Sequence, residues 1–162
     1  MLRIYQALKD IFILFLLEEK MIEKMKALVR EKDTCVLATV SEGAPHCSLM
    51  SYVTDPECRE LYMVTHRQTK KYRNLTENPS VSLLIDTRET PGKGDIKALT
   101  VSGVVQKIEG KDRMDRIRKA LLARHPGLKI FLEDPGAEIF AVRVKSFQLL
   151  EGIQDASYLE IA

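Results

Sequence analysis

Cysteine is scarce in this 162-residue sequence, and its spacing excludes a disulfide framework. The three cysteines, Cys35, Cys47 and Cys58, form no CxxC pair. An odd number without a secretory leader indicates reduced thiols and a cytoplasmic protein. Because Cys35 and Cys47 lie in apolar runs, we interpret them as small buried side chains without chemistry of their own.

Long hydrophobic runs are also missing. The most apolar run, Ile11–Leu17, has seven residues, whereas a membrane-spanning helix needs about 20. Asp10 interrupts the basic region that a secretory signal requires, and no small-x-small cleavage site follows. We therefore expect no membrane span. Residues 1–31 are predicted to form an N-terminal helical extension of one or two helices. The apolar run is predicted to pack on the domain or on a partner subunit, with attachment to a membrane surface as the alternative.

The charge balance excludes a protein that coats nucleic acid. The formal net charge is only +2, although 30% of the residues are charged. One local concentration stands out, because no acidic residue lies between Glu60 and Glu77 while four basic residues do: Arg67, Lys70, Lys71 and Arg73. This distribution predicts a small anionic ligand and no nucleic-acid partner.

Several familiar motifs are absent. The sequence has neither a GxGxxG nor a GxxxxGK[ST] phosphate loop. His46, His66 and His125 are scattered without the spacing of metal ligands, so no metal site is predicted. No Ser-His-Asp or paired-carboxylate arrangement can be inferred, and no catalytic residue is assigned.

Alternating apolar residues from Thr34 onward predict the first three strands. The runs before and after Glu42-Gly43 predict a hairpin with its turn at these two residues. Leu61–His66 predicts a third strand, which would complete an antiparallel meander with the first two. A helix is predicted from Thr69 to about residue 77.

The second half of the chain predicts three more strands and one more helix. Strands are expected over residues 81–86, 98–109 and 139–152, and Gly103 in the second of these marks a bulge or the close approach of another backbone or ligand. The segment 88–97 is predicted to be an exposed loop, 111–126 an amphipathic helix and 127–138 a loop and turn. In the last strand, Phe140, Val142 and Val144 alternate with Ala141, Arg143 and Lys145, which indicates one buried and one solvated face.

These elements indicate an α+β fold: six antiparallel strands that form a barrel, with short flanking helices. The first strands are too closely spaced for the crossovers of a parallel sheet. The barrel domain is predicted over residues 32–154, followed by a tail over 155–162.

A candidate anion site lies where the third strand meets the following helix. Thr65 ends the strand, and Thr69, Lys70 and Lys71 begin the helix. The first turn of a helix presents unpaired N–H groups and a positive dipole end, so two lysines there predict a phosphate site. The alternative is that Thr69 only caps a solvated basic helix.

The order of three segments resembles the pyridoxamine 5'-phosphate oxidase-like FMN-binding split-barrel family. The segments are LATVSEGAPHCSLMSY, LYMVTHRQTKKYRNLTENPSVSLLI and LTVSGVVQKIE, and the resemblance covers roughly residues 22–152. Within it, Thr65-x-x-x-Thr69-Lys70-Lys71 looks like the family's Thr-x-x-x-Ser-Arg-Lys phosphate segment. The resemblance implies a homodimer of split barrels with one FMN in each of two clefts between the subunits.

The same resemblance implies the cofactor-binding residues. The FMN phosphate would be held by Thr65, Thr69, Lys70 and Lys71, of which Lys71 is the strongest candidate. The flavin ring would run along the second strand, and two residues of the third strand would lie near the cofactor. These are His46, Cys47, Ser48, Leu49 and Met50 in the second strand, and Val64 and His66 in the third.

The sequence also departs from the family's pattern. Pyridoxamine phosphate oxidases have an Arg and a Lys in the second strand where this chain has Cys47 and Tyr52, and they carry an Arg-x-His substrate motif near the carboxyl end. No Arg follows Arg143 here, so vitamin B6 oxidation is not expected. The missing strand Arg implies weaker phosphate binding, or its replacement by Arg67 or by a residue of the partner subunit.

The resemblance therefore implies an FMN-dependent oxidoreductase that acts on a small molecule. Two alternatives stay open. One is a relative that binds the deazaflavin F420, and the other is a non-catalytic flavin-binding or electron-carrying module. The basic helix from Lys111 to Arg124 and the apolar amino-terminal helix could also form a docking surface.

Overall fold

A computed structural model describes residues 2–88, 96–152 and 155–161. It shows an α+β fold in which eight antiparallel strands form one sheet that curls into a half-barrel, flanked by four α-helices. The predicted loop over 88–97 lies largely outside the described residues. The elements are α1 (Leu2–Glu31), β1 (Thr34–Ser41), β2 (Ala44–Ser51), β3 (Val53–Thr54), β4 (Glu60–His66), α2 (Lys70–Glu77), β5 (Ser80–Asp86), β6 (Lys97–Gln106), α3 (Lys111–Arg124), a 3₁₀ helix (Pro126–Leu128), α4 (Lys129–Glu133), β7 (Ala137–Glu151) and β8 (Asp155–Glu160).

The predicted hairpin is confirmed. β1 pairs with β2 from Thr34↔Ser51 to Ser41↔Ala44, which leaves a two-residue turn. Both turn residues have positive φ, 50° at Glu42 and 75° at Gly43. Positive φ at both positions is the geometry of the tight hairpin turns that match the twist of the strands.

The predicted meander of the first three strands is wrong. The sheet order is β2-β1-β5-β6-β7-β4-β3, so β4 pairs with β7 and β3 and not with β2. Its partner in β7 is distant in sequence, for example Leu61↔Val142. Alternation identifies a strand from local sequence, but it does not identify a partner that lies some 80 residues away.

The strand number also differs from the predicted six. The two additional strands are β3, which has two residues, and β8, which forms in the segment predicted to be a tail. β8 pairs antiparallel with β7 from Ser146↔Glu160 to Glu151↔Asp155. Its side chains are exposed or half-buried, and a strand that buries little lacks the apolar alternation by which strands are recognised.

Two hydrophobic clusters cover the two faces of β4 and β7. The larger lies inside the curled sheet, and the smaller includes Tyr62, Ile139 and Ala141 beneath Leu121 of α3 and Leu132 of α4. The start of β7 is therefore buried on both faces, and the predicted solvated face is wrong at Ala141, whereas Arg143 and Lys145 are exposed as predicted. The segment predicted to be a loop and turn contains the 3₁₀ helix and α4, which are too short to show helical periodicity.

The amino-terminal segment is a single helix that packs on the domain only through its carboxyl-terminal half. Met25 and Val29 are fully buried, whereas Phe12 and Leu14 are 60% and 66% exposed. The apolar run therefore does not pack on the domain of its own chain, and its packing on a partner subunit stays a prediction. None of the helices within the described residues is long and apolar enough to cross a bilayer.

Candidate functional site

The junction between β4 and α2 is built by two threonine hydroxyls. Thr65 Oγ1 lies 3.1 Å from Thr69 Oγ1, and Thr65 is only 1% exposed. Thr69 is the N-cap of α2: it accepts a hydrogen bond from the N–H of Tyr72 at 3.3 Å and donates one to the carbonyl oxygen of His66 at 2.8 Å. The capping role considered from the sequence is confirmed, and both hydroxyls fix the position of the helix amino terminus.

Lys70 and Lys71 occupy the first turn of α2. Backbone N–H groups in a first turn have no partner within the helix, and the helix dipole adds positive potential there. No acidic residue lies in this turn, and neither lysine forms an ion pair with any residue that the structure describes. The two ammonium groups are therefore available to an anion.

Arg67 differs from the lysines because it already has an anionic partner. Its Nε and Nη2 donate to Oε2 of Glu138 at 2.9 and 2.7 Å. This hydrogen bond raises the pKa of Arg67, with a further contribution from the negative charge of Glu138. The sequence offered Arg67 as a substitute for the missing strand arginine, but in the structure its charge is engaged by Glu138.

An open cleft lies beside the first turn of α2. Its volume is about 190 Å³, smaller than the roughly 300–1,000 Å³ that is usual for ligand sites. Residues from five elements line it: Leu49, Met50 and Ser51 of β2, Val64 of β4, Lys71 of α2, Leu128 of the 3₁₀ helix and Phe131 of α4. The cleft thus combines a mostly apolar wall with one cation.

Four of the predicted residues meet in this cleft, and three of its residues, Ser51, Leu128 and Phe131, were not predicted. Leu49, Met50, Val64 and Lys71 were expected from the resemblance. Leu128 and Phe131 were missed because their segment was read as a loop, although the apolar run Leu128-Lys-Ile-Phe-Leu132 signalled a packed element.

Neighbouring side chains of β2 lie on opposite faces of the sheet. Met50 is buried, whereas Cys47 is exposed and Leu49 is 76% exposed. His46, Cys47 and Ser48 do not line the cleft. The interpretation of Cys47 as a buried side chain is wrong within this chain, because Cys47 lies on the outer face of the sheet. Cys35 on β1 is buried, and burial raises its pKa to about 12.

His66 is held away from the cleft by the segment before β7. Its Nε2 lies 3.3 Å from Oδ1 of Asp134, and its Nδ1 accepts a hydrogen bond from the N–H of Gln68 at 3.2 Å. Because Nδ1 accepts, the ring proton is on Nε2. The ring also packs closely on Gly136, where a Cβ would lie 2.1 Å from Nε2.

A buried polar pair ties α2 to the hairpin. Asn74 Nδ2 donates to Thr39 Oγ1 at 3.0 Å, and Thr39 donates in turn to the carbonyl oxygen of His46 at 3.3 Å. Asn74 and Thr39 are 3% and 1% exposed. This chain of hydrogen bonds holds β1, β2 and α2 in register, and it was not predicted because its members are far apart in sequence.

Comparison with known proteins finds a matching family and several proteins of similar fold. The family model described as pyridoxamine 5'-phosphate oxidase matches residues 21–151, and no curated protein sequence matches. A heme-binding protein from Mycobacterium smegmatis is 19% identical with a TM-score of 0.76, over 86% of this chain and 57% of that one. A heme storage protein from Vibrio cholerae is 22% identical with a TM-score of 0.66, over 80% of this chain and 92% of that one. An FAD-binding protein from Mesorhizobium loti is 17% identical with a TM-score of 0.66, over 80% of this chain and 94% of that one.

Proposed function

Because the chain belongs to the pyridoxamine 5'-phosphate oxidase family, we propose that it is a flavoprotein that binds FMN beside the amino terminus of α2. The observation that carries this proposal is the position of Lys71. It lies in the first turn of a helix, has no ion-pair partner among the described residues and lines the adjoining cleft.

The donors at this site suit a phosphate. Lys70, Lys71 and the N–H groups of the first turn offer charge-assisted hydrogen bonds, which are the strongest that an anion receives from a protein. Thr65 and Thr69 hold that turn in place, so the donors are oriented before the ligand binds. The apolar cleft next to Lys71 suits the ring of a flavin.

A bound flavin would supply hydride or electron transfer between a reductant and a small-molecule acceptor. The chain's own residues would bind the phosphate, contact the ring mainly through the backbone of Leu49 and Met50, and exclude water through Leu128 and Phe131. That a structurally similar protein from Mesorhizobium loti binds FAD supports a flavin in this fold.

The phosphate assignment is tested by comparing FMN with riboflavin, which has the same ring and no phosphate. Hydrogen bonds to a charged group contribute about 1.5–3 kcal/mol each, so FMN should bind at least about tenfold more tightly. Quenching of flavin fluorescence measures both dissociation constants. Equal affinities would rule out a phosphate site at α2.

Catalysis is a separate question from binding. Bleaching of the bound flavin by NADH or NADPH, followed by recovery with an acceptor, would support an oxidoreductase. Tight binding without reduction by either nucleotide would favour the non-catalytic module.

We also propose that the protein is a homodimer and that the partner completes each cleft. An apolar row crosses the outer face of three strands, because Val36 of β1 pairs with Leu49 of β2 and with Leu84 of β5. Leu49 and Leu84 are 76% and 36% exposed. Such exposed apolar surface is typical of interfaces, and Leu49 belongs both to this face and to the cleft wall.

Leu84→Glu is therefore expected to convert a dimer to a monomer and to weaken FMN binding, because a buried carboxylate without a partner opposes association. Light scattering after gel filtration measures the mass. Tyr158→Glu is the control, because Tyr158 is exposed on the edge strand β8. A monomeric wild-type protein, or a dimeric Leu84→Glu variant, would contradict the proposed interface.

A further inference from the structure

A second cleft lies on the other side of α2, between this helix and β6 and β7. Its volume is about 300 Å³. Two of its lining side chains, Leu75 and Phe140, are only 7% and 5% exposed and belong to the larger hydrophobic cluster, against which Val105 also packs. These side chains form an apolar floor against which a ring can pack.

This second cleft is distinct from the proposed flavin cleft. The two share no lining residue. Helix α2 separates them, since Lys71 contributes to the flavin cleft while Tyr72, Leu75 and Thr76 contribute to the second one. A ligand can therefore bind in the second cleft whether or not FMN is bound.

The rim of the second cleft favours a negative charge. Lys107 lies at the rim and forms no ion pair with any residue in the described part of the chain. The carboxylate of Glu138, also at the rim, is already engaged by Arg67 at 2.7 Å. The charge that remains available is positive, and Tyr72 also lines the cleft.

We propose that the second cleft binds a small apolar carboxylic acid, either aromatic or alicyclic. The ring lies on the floor of Leu75, Val105 and Phe140. The carboxylate stays at the wet rim near Lys107, because moving an ionised group to the floor would remove its hydration without replacing it. Most ligand sites combine apolar walls with a few polar groups in this way.

The test uses 2-naphthoate and isothermal titration calorimetry, with apo and FMN-loaded protein. Both forms are expected to bind one naphthoate per chain with the same dissociation constant. Thr76→Trp, which places a large side chain in the cleft from an exposed helix position, is expected to weaken binding at least tenfold. Displacement of naphthoate by FMN would overturn the proposal, because it would place the acid in the flavin cleft.

The role of Lys107 is tested with a neutral ligand of the same shape. Lys107→Gln is expected to weaken naphthoate about threefold, as for an exposed ion pair, and to leave 2-naphthamide unchanged. Lys111→Gln, an exposed lysine on α3, is the control and should change neither ligand. If Lys107→Gln weakened both ligands equally, or left the affinity for naphthoate unchanged, the carboxylate would not lie near Lys107.

Amide NMR on the wild-type protein provides a test that does not depend on whether Thr76→Trp folds. Addition of 2-naphthoate should shift the amide NMR signals of Tyr72, Thr76 and Lys107. Shifts centred on Lys71 and Leu49, or no saturable shifts, would overturn the proposal.

Discussion

Replacing Lys71 with alanine is expected to weaken FMN binding by about 1.5–3 kcal/mol, roughly tenfold to 150-fold, the range for a hydrogen bond to a charged group. Lys71 lies in the cleft wall and has no competing carboxylate within the described residues. The loss should appear in the dissociation constant from flavin fluorescence quenching. Lys70→Ala should cost less, because Lys70 is exposed and does not line the cleft.

Two controls separate a lost phosphate contact from general damage. Lys119→Ala removes an exposed lysine from α3 and should leave FMN binding unchanged. Riboflavin affinity should be nearly the same in the wild type and in Lys71→Ala, because riboflavin has no phosphate for Lys71 to hold. An FMN affinity that Lys71→Ala leaves unchanged, or equal losses of FMN and riboflavin, would remove Lys71 from the phosphate site.

Replacing Gly103 with alanine is expected to reduce the free energy of unfolding by about 1–3 kcal/mol, the usual cost of overpacking. The pairing of β6 with β7 shifts register between Ser102 and Gly103. At Gly103 an added Cβ would lie 2.6 Å from Cγ1 of Val142 and 2.7 Å from the carbonyl oxygen of Arg143. The valine methyl can rotate away, but the carbonyl belongs to a paired central strand and can move only if the bulge moves.

Urea denaturation of Gly103→Ala and Ser102→Ala measures this effect with a matched control. Ser102 is exposed on the same strand, so its replacement should change the free energy of unfolding by less than about 0.5 kcal/mol. If Gly103→Ala were as stable as the wild type, the close approach at the bulge would not require glycine.

Local sequence signals predicted the features that depend on neighbouring residues. Glu42-Gly43 marked the hairpin turn, Thr69 marked the start of α2, and Gly103 marked the bulge. The turn and the helix start are set within a few residues of the chain, by positive φ and by a missing N–H partner. The steric limit at Gly103 comes from β7, but a glycine inside a strand pattern is itself a local signal of a bulge. These features are therefore readable without knowledge of the fold.

Features that depend on distant packing were not predicted. The pairing of β4 with β7 and the hydrogen bond from Asn74 to Thr39 join segments whose proximity is set by the whole sheet. Phe131 reaches the cleft only because α3 and α4 cover the outer face of β4 and β7. The sequence therefore predicted the turn between β4 and α2 better than the residues that line the cleft.

The central claim, FMN binding, is tested most directly by the absorption spectrum of the purified protein after FMN is added and free flavin is removed by gel filtration. We predict that both flavin bands stay with the protein at near one FMN per chain. A protein that retains no FMN, or one that instead retains added heme and shows a Soret band, would contradict the proposal.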